Sequence, residues 1–228
     1  MDQLFDFTEV FENLDKILTG FWATIRLAVV CMILSLIIGT VLATFRVSPT
    51  PVLRGVGAFL VNTLRNTPLT LLAVLCISGL SDVLALRFSG VPTVNGFWWA
   101  TTALSVYTGA FVCEALRSGI NTVPLGQAEA ARSIGLTTGQ SLRMIILPQA
   151  FRSVIGPLGS VLIAMIKNTS IVGAVAYGME AAAQMKLMFF DLGASLPIFI
   201  GFAVGYLVLT LPAGYFFGWL SKRMAVAR

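Results

Sequence analysis

Glu129-Ala130-Ala131-Arg132-Ser133-Ile134-Gly135, followed by Ile145-Ile146-Leu147-Pro148, forms an island of small and charged residues in a very apolar chain. The pattern reads E-A-A-x3-G-x9-I-x-L-P without a gap. Small side chains at Ala128, Ala130 and Ala131 suit a short helix that another protein can approach closely. Gly135 tolerates the left-handed conformation that ends such a helix. Thr137-x-x-Gln140 has the form of a capping box opening a second short helix. Pro148 lacks an N–H, which costs least where the next helix begins. The spacing thus predicts a structured loop over about 120–148 that docks on a partner. A plain polar loop whose alanines merely favour helix is the simpler alternative.

Composition sets the surroundings of this loop. Of 228 residues, 57% are hydrophobic and 11% charged, against roughly one quarter charged in soluble domains. An ordinary globular enzyme is excluded. Charge-free runs cover 27–45, 88–113 and 192–221, each long enough to cross about 30 Å of hydrocarbon. Two further apolar stretches, 53–80 and 153–179, are each interrupted by a single cation, Arg65 in the second stretch from the N-terminus and Lys167 in the later one, once Arg54 is set at the boundary. The expectation is an all-α membrane protein of about five transmembrane helices. No internal repeat or low-complexity segment is evident.

Charge distribution predicts orientation. Arg46 and Arg54 flank the turn after the first span, Arg117, Arg132, Arg143 and Arg152 surround the loop after the third, and Lys222, Arg223 and Arg228 follow the fifth. The other side carries Asp2, Asp6, Glu9, Glu12, Asp15, Asp82, Glu180 and Asp191, with few cations such as Lys16, Arg87 and Lys186. The positive-inside rule places the N-terminus outside and the C-terminus in the cytoplasm, with residues 129–148 cytoplasmic. The net charge of +5 follows this topology and needs no nucleic acid. Acids near the N-terminus are the reverse of a cleavable signal's basic start. Residues 1–19 read as an extracytoplasmic lead-in, with apolar residues near helical spacing that suit an amphipathic helix or a frayed start to the first span. Residues 20–228 read as one transmembrane domain.

Absences narrow the chemistry. There is no histidine, so no histidine-based triad, metal site or proton relay. Cys31, Cys76 and Cys113 fall in apolar spans and read as small buried core residues. A glycine-rich phosphate loop followed by lysine is missing, so ATP work by that route belongs to a partner. Trp22, Trp98, Trp99 and Trp219 lie near predicted span ends, as an aromatic belt requires.

The charges inside the spans point to a solute. At 1.5 Å per residue, Arg65 stands roughly 16 Å beyond Arg54, and Lys167 roughly 22 Å beyond Arg152. Neither has an acidic partner within a helical turn, and an ionisable group at that depth is costly unless it faces a polar cavity or a partner. Asn66 and Thr67 follow Arg65, Pro68 frees backbone carbonyls and kinks its helix, and Asn168, Thr169 and Ser170 follow Lys167. Two cations with amides and hydroxyls suit a small solute bearing carboxylates and an amine. Polar helix-to-helix packing with snorkelling cations is the competing reading. Glu114, three residues before Arg117, reads most simply as one half of a local ion pair.

The E-A-A loop resembles the one by which permease subunits of bacterial ATP-binding-cassette importers dock on their ATPase. Arg65-Asn66-Thr67-Pro68-Leu69, the stretch Glu114-Ala115-Leu116-Arg117-Ser118-Gly119-Ile120, the loop itself and Lys167-Asn168-Thr169-Ser170 occur in the order found in polar amino-acid permeases of that superfamily. The likeness runs from about Phe21 to the end, and 117–121 and 126–135 look most like actinobacterial glutamate-uptake permeases. The resemblance implies the five-helix type I permease fold, multi-pass in the bacterial cell membrane. It implies a homo- or heterodimer of permeases, an ATPase dimer carrying ATP and Mg, and an extracytoplasmic binding protein. No cofactor and no catalysis are expected in this chain. Glu129, Ala130, Ala131, Gly135 and Leu136 would couple to the ATPase, with Glu129 orienting the loop through hydrogen bonds. Arg65, Asn66, Thr67, Lys167, Asn168, Thr169 and Ser170 would contact an amino acid. Asn168, where cationic amino-acid permeases tend to have an acid, favours glutamate or a related acidic or polar substrate. An ATP-independent transporter or channel, or a membrane scaffold, would leave the E-A-A spacing unexplained.

Overall fold

A computed structural model of the chain describes residues 6–193 and 196–224. Asp2, Leu4, Phe5 and Arg228 lie outside these residues, and the side chain of Ala128 is likewise outside the description. The described residues are helical almost throughout: α1 (Thr8–Glu12), α2 (Leu14–Val47), α3 (Pro51–Asn66), α4 (Leu69–Val74), α5 (Pro92–Asn121), α6 (Leu125–Ser133), α7 (Thr138–Ser141), α8 (Leu147–Ala176), α9 (Ala181–Leu192) and α10 (Leu196–Met224). Wider π-type turns continue α4 over Leu75–Val83 and join α7 to α8 over Leu142–Ile146.

Three helices are long and apolar enough to cross a membrane by themselves: Leu14–Val47, Gly139–Ala176 and Leu196–Met224. Helices α3 and α4 with its π-type turns add a fourth span if the pair counts as one. The remaining expected span, third in chain order, is α5, which has 30 residues, but Thr93, Asn95, Thr101, Ser105 and Thr108 dilute its hydropathy. Four of these are buried (Asn95, Thr101, Ser105 and Thr108). Wrapped by α2, α3, α4 and α8, α5 meets little lipid, so its exposure to hydrocarbon does not demand an apolar surface.

Small residues let the central helices touch. A Cβ on Gly39 of α2 would stand 2.4 Å from Val112 Cγ1 and 2.8 Å from the Gly109 carbonyl oxygen, and one on Gly109 would stand 2.7 Å from Ile38. Close backbone approach of this kind replaces the hydrophobic effect as the source of helix association in lipid. One core joins Leu27, Leu104, Trp99, Met165 and Val172 from α2, α5 and α8. A second joins Val10, Ile17 and Phe21 to Met188, Ile198 and Phe202. In the described part of the N-terminal segment, Val10 and Ile17 thus belong to a packed core. Helix α1 packs Val10 near Gly201 of α10, and α2 already begins at Leu14, inside the segment read as a lead-in.

Two expectations about single elements need correction. The stretch 53–80 is not one kinked helix: α3 and the helix after Pro68 meet at 101°. Thr67 takes an extended conformation (φ −93°, ψ 131°), because the proline ring disfavours helix in the residue before it. Trp99 is not a belt residue either. It is buried and meets Phe88 edge-on at 4.8 Å, whereas Trp22, Trp98 and Trp219 are exposed. The three cysteines are buried and free.

Candidate functional site

The E-A-A segment forms the helix, turn and helix that its spacing predicts. Gly135 adopts φ +86°. Its N–H bonds the Arg132 carbonyl at 3.0 Å while the Leu136 N–H bonds the Ala131 carbonyl at 3.1 Å, the two bonds of a Schellman turn. Thr137 and Gln140 then cap each other: the Thr137 N–H donates to Gln140 Oε1 at 2.9 Å and the Gln140 N–H to Thr137 Oγ1 at 3.3 Å. Pro148 lies in the first turn of α8. Gln149 Nε2 reaches Gln127 Oε1 at 3.0 Å, which ties α6 to α8.

The residues expected to couple to an ATPase separate into two groups. Ala131 is buried in the loop's own interior, whereas Glu129, Ala130 and Gly135 face outward and Leu136 is half-buried. Among the described residues no hydrogen bond of the Glu129 carboxylate is found; its carbonyl accepts from Ser133 Oγ at 3.1 Å. Around the loop, Ile134, Met144, Leu147 and Phe151 are exposed beside Arg132, Arg143 and Arg152. Apolar side chains rimmed by charge are the composition of a docking surface.

Between α5 and α8 lies a cavity of about 280 Å³, lined by Tyr107, Thr108, Phe111, Ser160, Val161, Ala164, Met165 and Asn168. Tyr107, Thr108 and Ser160, Val161 belong to the middle turns of their helices, so the cavity is half-way along the bundle. Its volume is near the lower limit of small-molecule pockets. Arg65 stands at its edge, with Cζ 5.5 Å from the centre of the Phe111 ring. Of the seven residues expected to bind substrate, Asn168 lines this cavity and Arg65 reaches it through Phe111. The others do not converge there. Asn66 Nδ2 and Thr67 Oγ1 turn back to carbonyls of their own helix, Ser170 Oγ bonds the Lys167 carbonyl, and Lys167 is exposed on α8. A larger groove of about 640 Å³ between α2 and α5 is lined mainly by Trp22, Val29, Phe97 and other apolar side chains with Arg26, too few polar groups for a zwitterion.

Glu114 is more than half of a local pair. Its Oε2 is 3.5 Å from Arg117 Nη1, as the i,i+3 spacing predicts, while Oε1 is 2.9 Å from Arg46 Nη2 and 3.7 Å from Arg65 Nη1. One carboxylate thus gathers guanidinium groups from α2, α3 and α5. Arg65 therefore has an acidic partner after all, and shares it with Arg46, which lies in the last turn of α2. The depth reckoned for Arg65 takes 53–80 as one kinked helix, whereas α3 and the helix after Pro68 meet at 101°.

Sequence reasoning missed Glu180, which it placed in an exposed outer loop. Its side chain is fully buried. Oε1 accepts hydroxyls from Thr24 at 2.9 Å, Thr169 at 3.1 Å and Tyr206, and Oε2 accepts the Ala182 N–H at 2.7 Å, capping α9. Four helices, α2, α8, α9 and α10, meet on this one carboxylate. Thr169, expected to touch substrate, faces this network instead. Gly173 makes room for it: a Cβ there would fall 2.4 Å from Glu180 Oε2. No spacing in the sequence signals these contacts, since every hydroxyl partner comes from another helix.

With the geometry in place, comparison gives the chain its relatives. The family model described as "Binding-protein-dependent transport system inner membrane component" matches residues 10–226. The glutamate transport system permease protein GluC of Corynebacterium glutamicum is 46% identical over 219 residues, covering 93% of this chain and 96% of that one. The probable glutamine ABC transporter permease protein GlnM of Bacillus subtilis is 37% identical over 215 residues, covering 94% and 96%. A crystal structure of an amino acid ABC transporter superposes with a TM-score of 0.87 at 25% identity, over 96% of this chain and 98% of that one.

Proposed function

Since the chain belongs to the family of binding-protein-dependent transport system inner membrane components, we propose that it is the membrane-spanning subunit of an ATP-driven amino-acid importer whose substrate is glutamate or a closely related acidic or polar amino acid. The observation that carries this reading is the docking loop. A Schellman turn and a reciprocal cap fix its backbone, and an apolar patch on it faces outward. ATP and Mg belong to a separate ATPase dimer that seats on this loop. A second permease and an extracytoplasmic binding protein complete the assembly.

In this mechanism, closure of the ATPase pushes α6 and α7, and the push passes through the Gln127–Gln149 contact into α8. Helix α8 forms one wall of the cavity and carries Asn168, so its movement against α5 opens the cavity to alternate sides. Arg65 and Asn168 are the substrate contacts best supported by position. The 46% identity to a glutamate permease and the guanidinium at the cavity edge both support an acidic substrate. Uptake of labelled glutamate, glutamine and arginine by the reconstituted assembly tests this reading: ATP-dependent uptake led by glutamate is expected. Preference for arginine would refute it.

A further inference from the structure

The cluster around Glu114 has a use beyond holding helices together. We propose that Glu114 competes with the substrate's side-chain carboxylate for Arg65, and so sets how strongly the α5–α8 cavity prefers an acidic over a neutral amino acid. This inference rests on the functional reading above, because it takes Arg65 to be a substrate contact.

Three guanidinium groups share one carboxylate, so the cluster keeps two uncompensated positive charges. Its hydrogen bonding is incomplete as well. Arg46 is nine-tenths buried, yet its Nη1 has no hydrogen-bond partner, and Glu114 Oε1 lies within ion-pair distance of Arg46 and Arg65 without being aligned to either. Such a site gains from a second anion. The hold on the three arginines is graded: Arg46 is nearest at 2.9 Å, Arg117 stands at 3.5 Å and Arg65 at 3.7 Å. Arg65 is also partly exposed, and its guanidinium leans on Phe111, a wall of the cavity. It is the arginine free to change partner.

The side-chain carboxylate of an acidic amino acid arriving in the cavity takes over Arg65 while Arg46 and Arg117 keep Glu114. One anion replaces another at Arg65, so that guanidinium remains paired throughout. A neutral amide accepts a hydrogen bond from the guanidinium but brings no opposite charge, so its hold is weaker than a bidentate guanidinium–carboxylate pair, and it does not displace Glu114. Glu114 thereby lowers the affinity for acidic substrates and leaves that for neutral ones nearly untouched.

The test is uptake into vesicles holding the complete assembly, with apparent KM for glutamate and for glutamine measured at matched protein levels. In Glu114→Gln the KM for glutamate should fall about two- to fivefold, the range for a partly exposed ion pair, with that for glutamine unchanged. In an Arg65→Gln background the same substitution should leave the glutamate KM where Arg65→Gln puts it. An unchanged glutamate KM, an equal fall for both substrates, or a fall that persists without Arg65 overturns the proposal. Should Glu114→Gln fail to insert, Glu114→Asp draws the charge back by one methylene and should shift the glutamate KM the same way by less. No shift there also overturns the proposal. A wild-type assembly that accumulates neither amino acid contradicts the functional reading itself, and the role of Glu114 falls with it.

Discussion

Gly135 holds φ +86°, and a Cβ built on it meets nothing within 4 Å. Space is thus no obstacle to a side chain there, and the strain of a left-handed L-residue costs about 1–2 kcal/mol. Gly135→Asp should insert normally, but it places a carboxylate on the turn proposed to seat the ATPase. Substrate-stimulated ATP hydrolysis in reconstituted vesicles is expected to drop sharply, and normal stimulation would remove the turn from the docking surface. Glu180 offers the opposite case, a side chain with no freedom. In Glu180→Ala, Thr24 and Thr169 keep backbone acceptors at Gly20 and Ile166, but the Tyr206 hydroxyl and the Ala182 N–H lose their partner. A loss of about 2–4 kcal/mol is expected from unpaired polar groups and the space left behind. Thermal denaturation in detergent measures it, with Glu180→Gln losing less because an amide oxygen still caps α9. Equal stability of Glu180→Ala and wild type would show that the network is incidental.

Among elements, the contact of α2 with α5 leaves no room at Gly39. Gly39→Val would drive methyl groups into Val112 and the Gly109 carbonyl, and overpacking of this kind costs about 1–3 kcal/mol. Lower detergent stability and reduced membrane levels are the expected readouts, and a wild-type melting profile would contradict the packing. The elements also divide what was legible in the sequence from what was not. The docking loop was readable residue by residue, because Gly135, Thr137, Gln140 and Pro148 act through backbone bonds to near neighbours. Pro68 announced a kink, but not a right-angled break, since the size of a bend depends on what the following helix packs against. Glu114 showed its partner at Arg117 and hid those at Arg46 and Arg65, which come from other helices. Hydropathy likewise sees Glu180 as a charge between spans and cannot report the three hydroxyls that α2, α8 and α10 bring to it.

For the whole molecule, the basic residues collect at one end of the bundle: Arg46, Arg117 and Arg152 lie there with the docking loop, as do Lys222 and Arg223, since Ser221 packs on Gly156 near the start of α8. Positive residues on that side predict that it faces the cytoplasm. With the native cysteines replaced, a cysteine at position 140 should be labelled only from inside and one at position 11 only from outside; the reverse would invert the transporter. The most direct test of an ATP-driven import role combines this chain with its ATPase and binding protein in sealed vesicles and follows labelled glutamate. Accumulation is expected only with ATP on the side of the docking loop and binding protein on the other, and Gly135→Asp should abolish it. Glutamate accumulation at the same rate without ATP, or without the ATPase, would contradict that role.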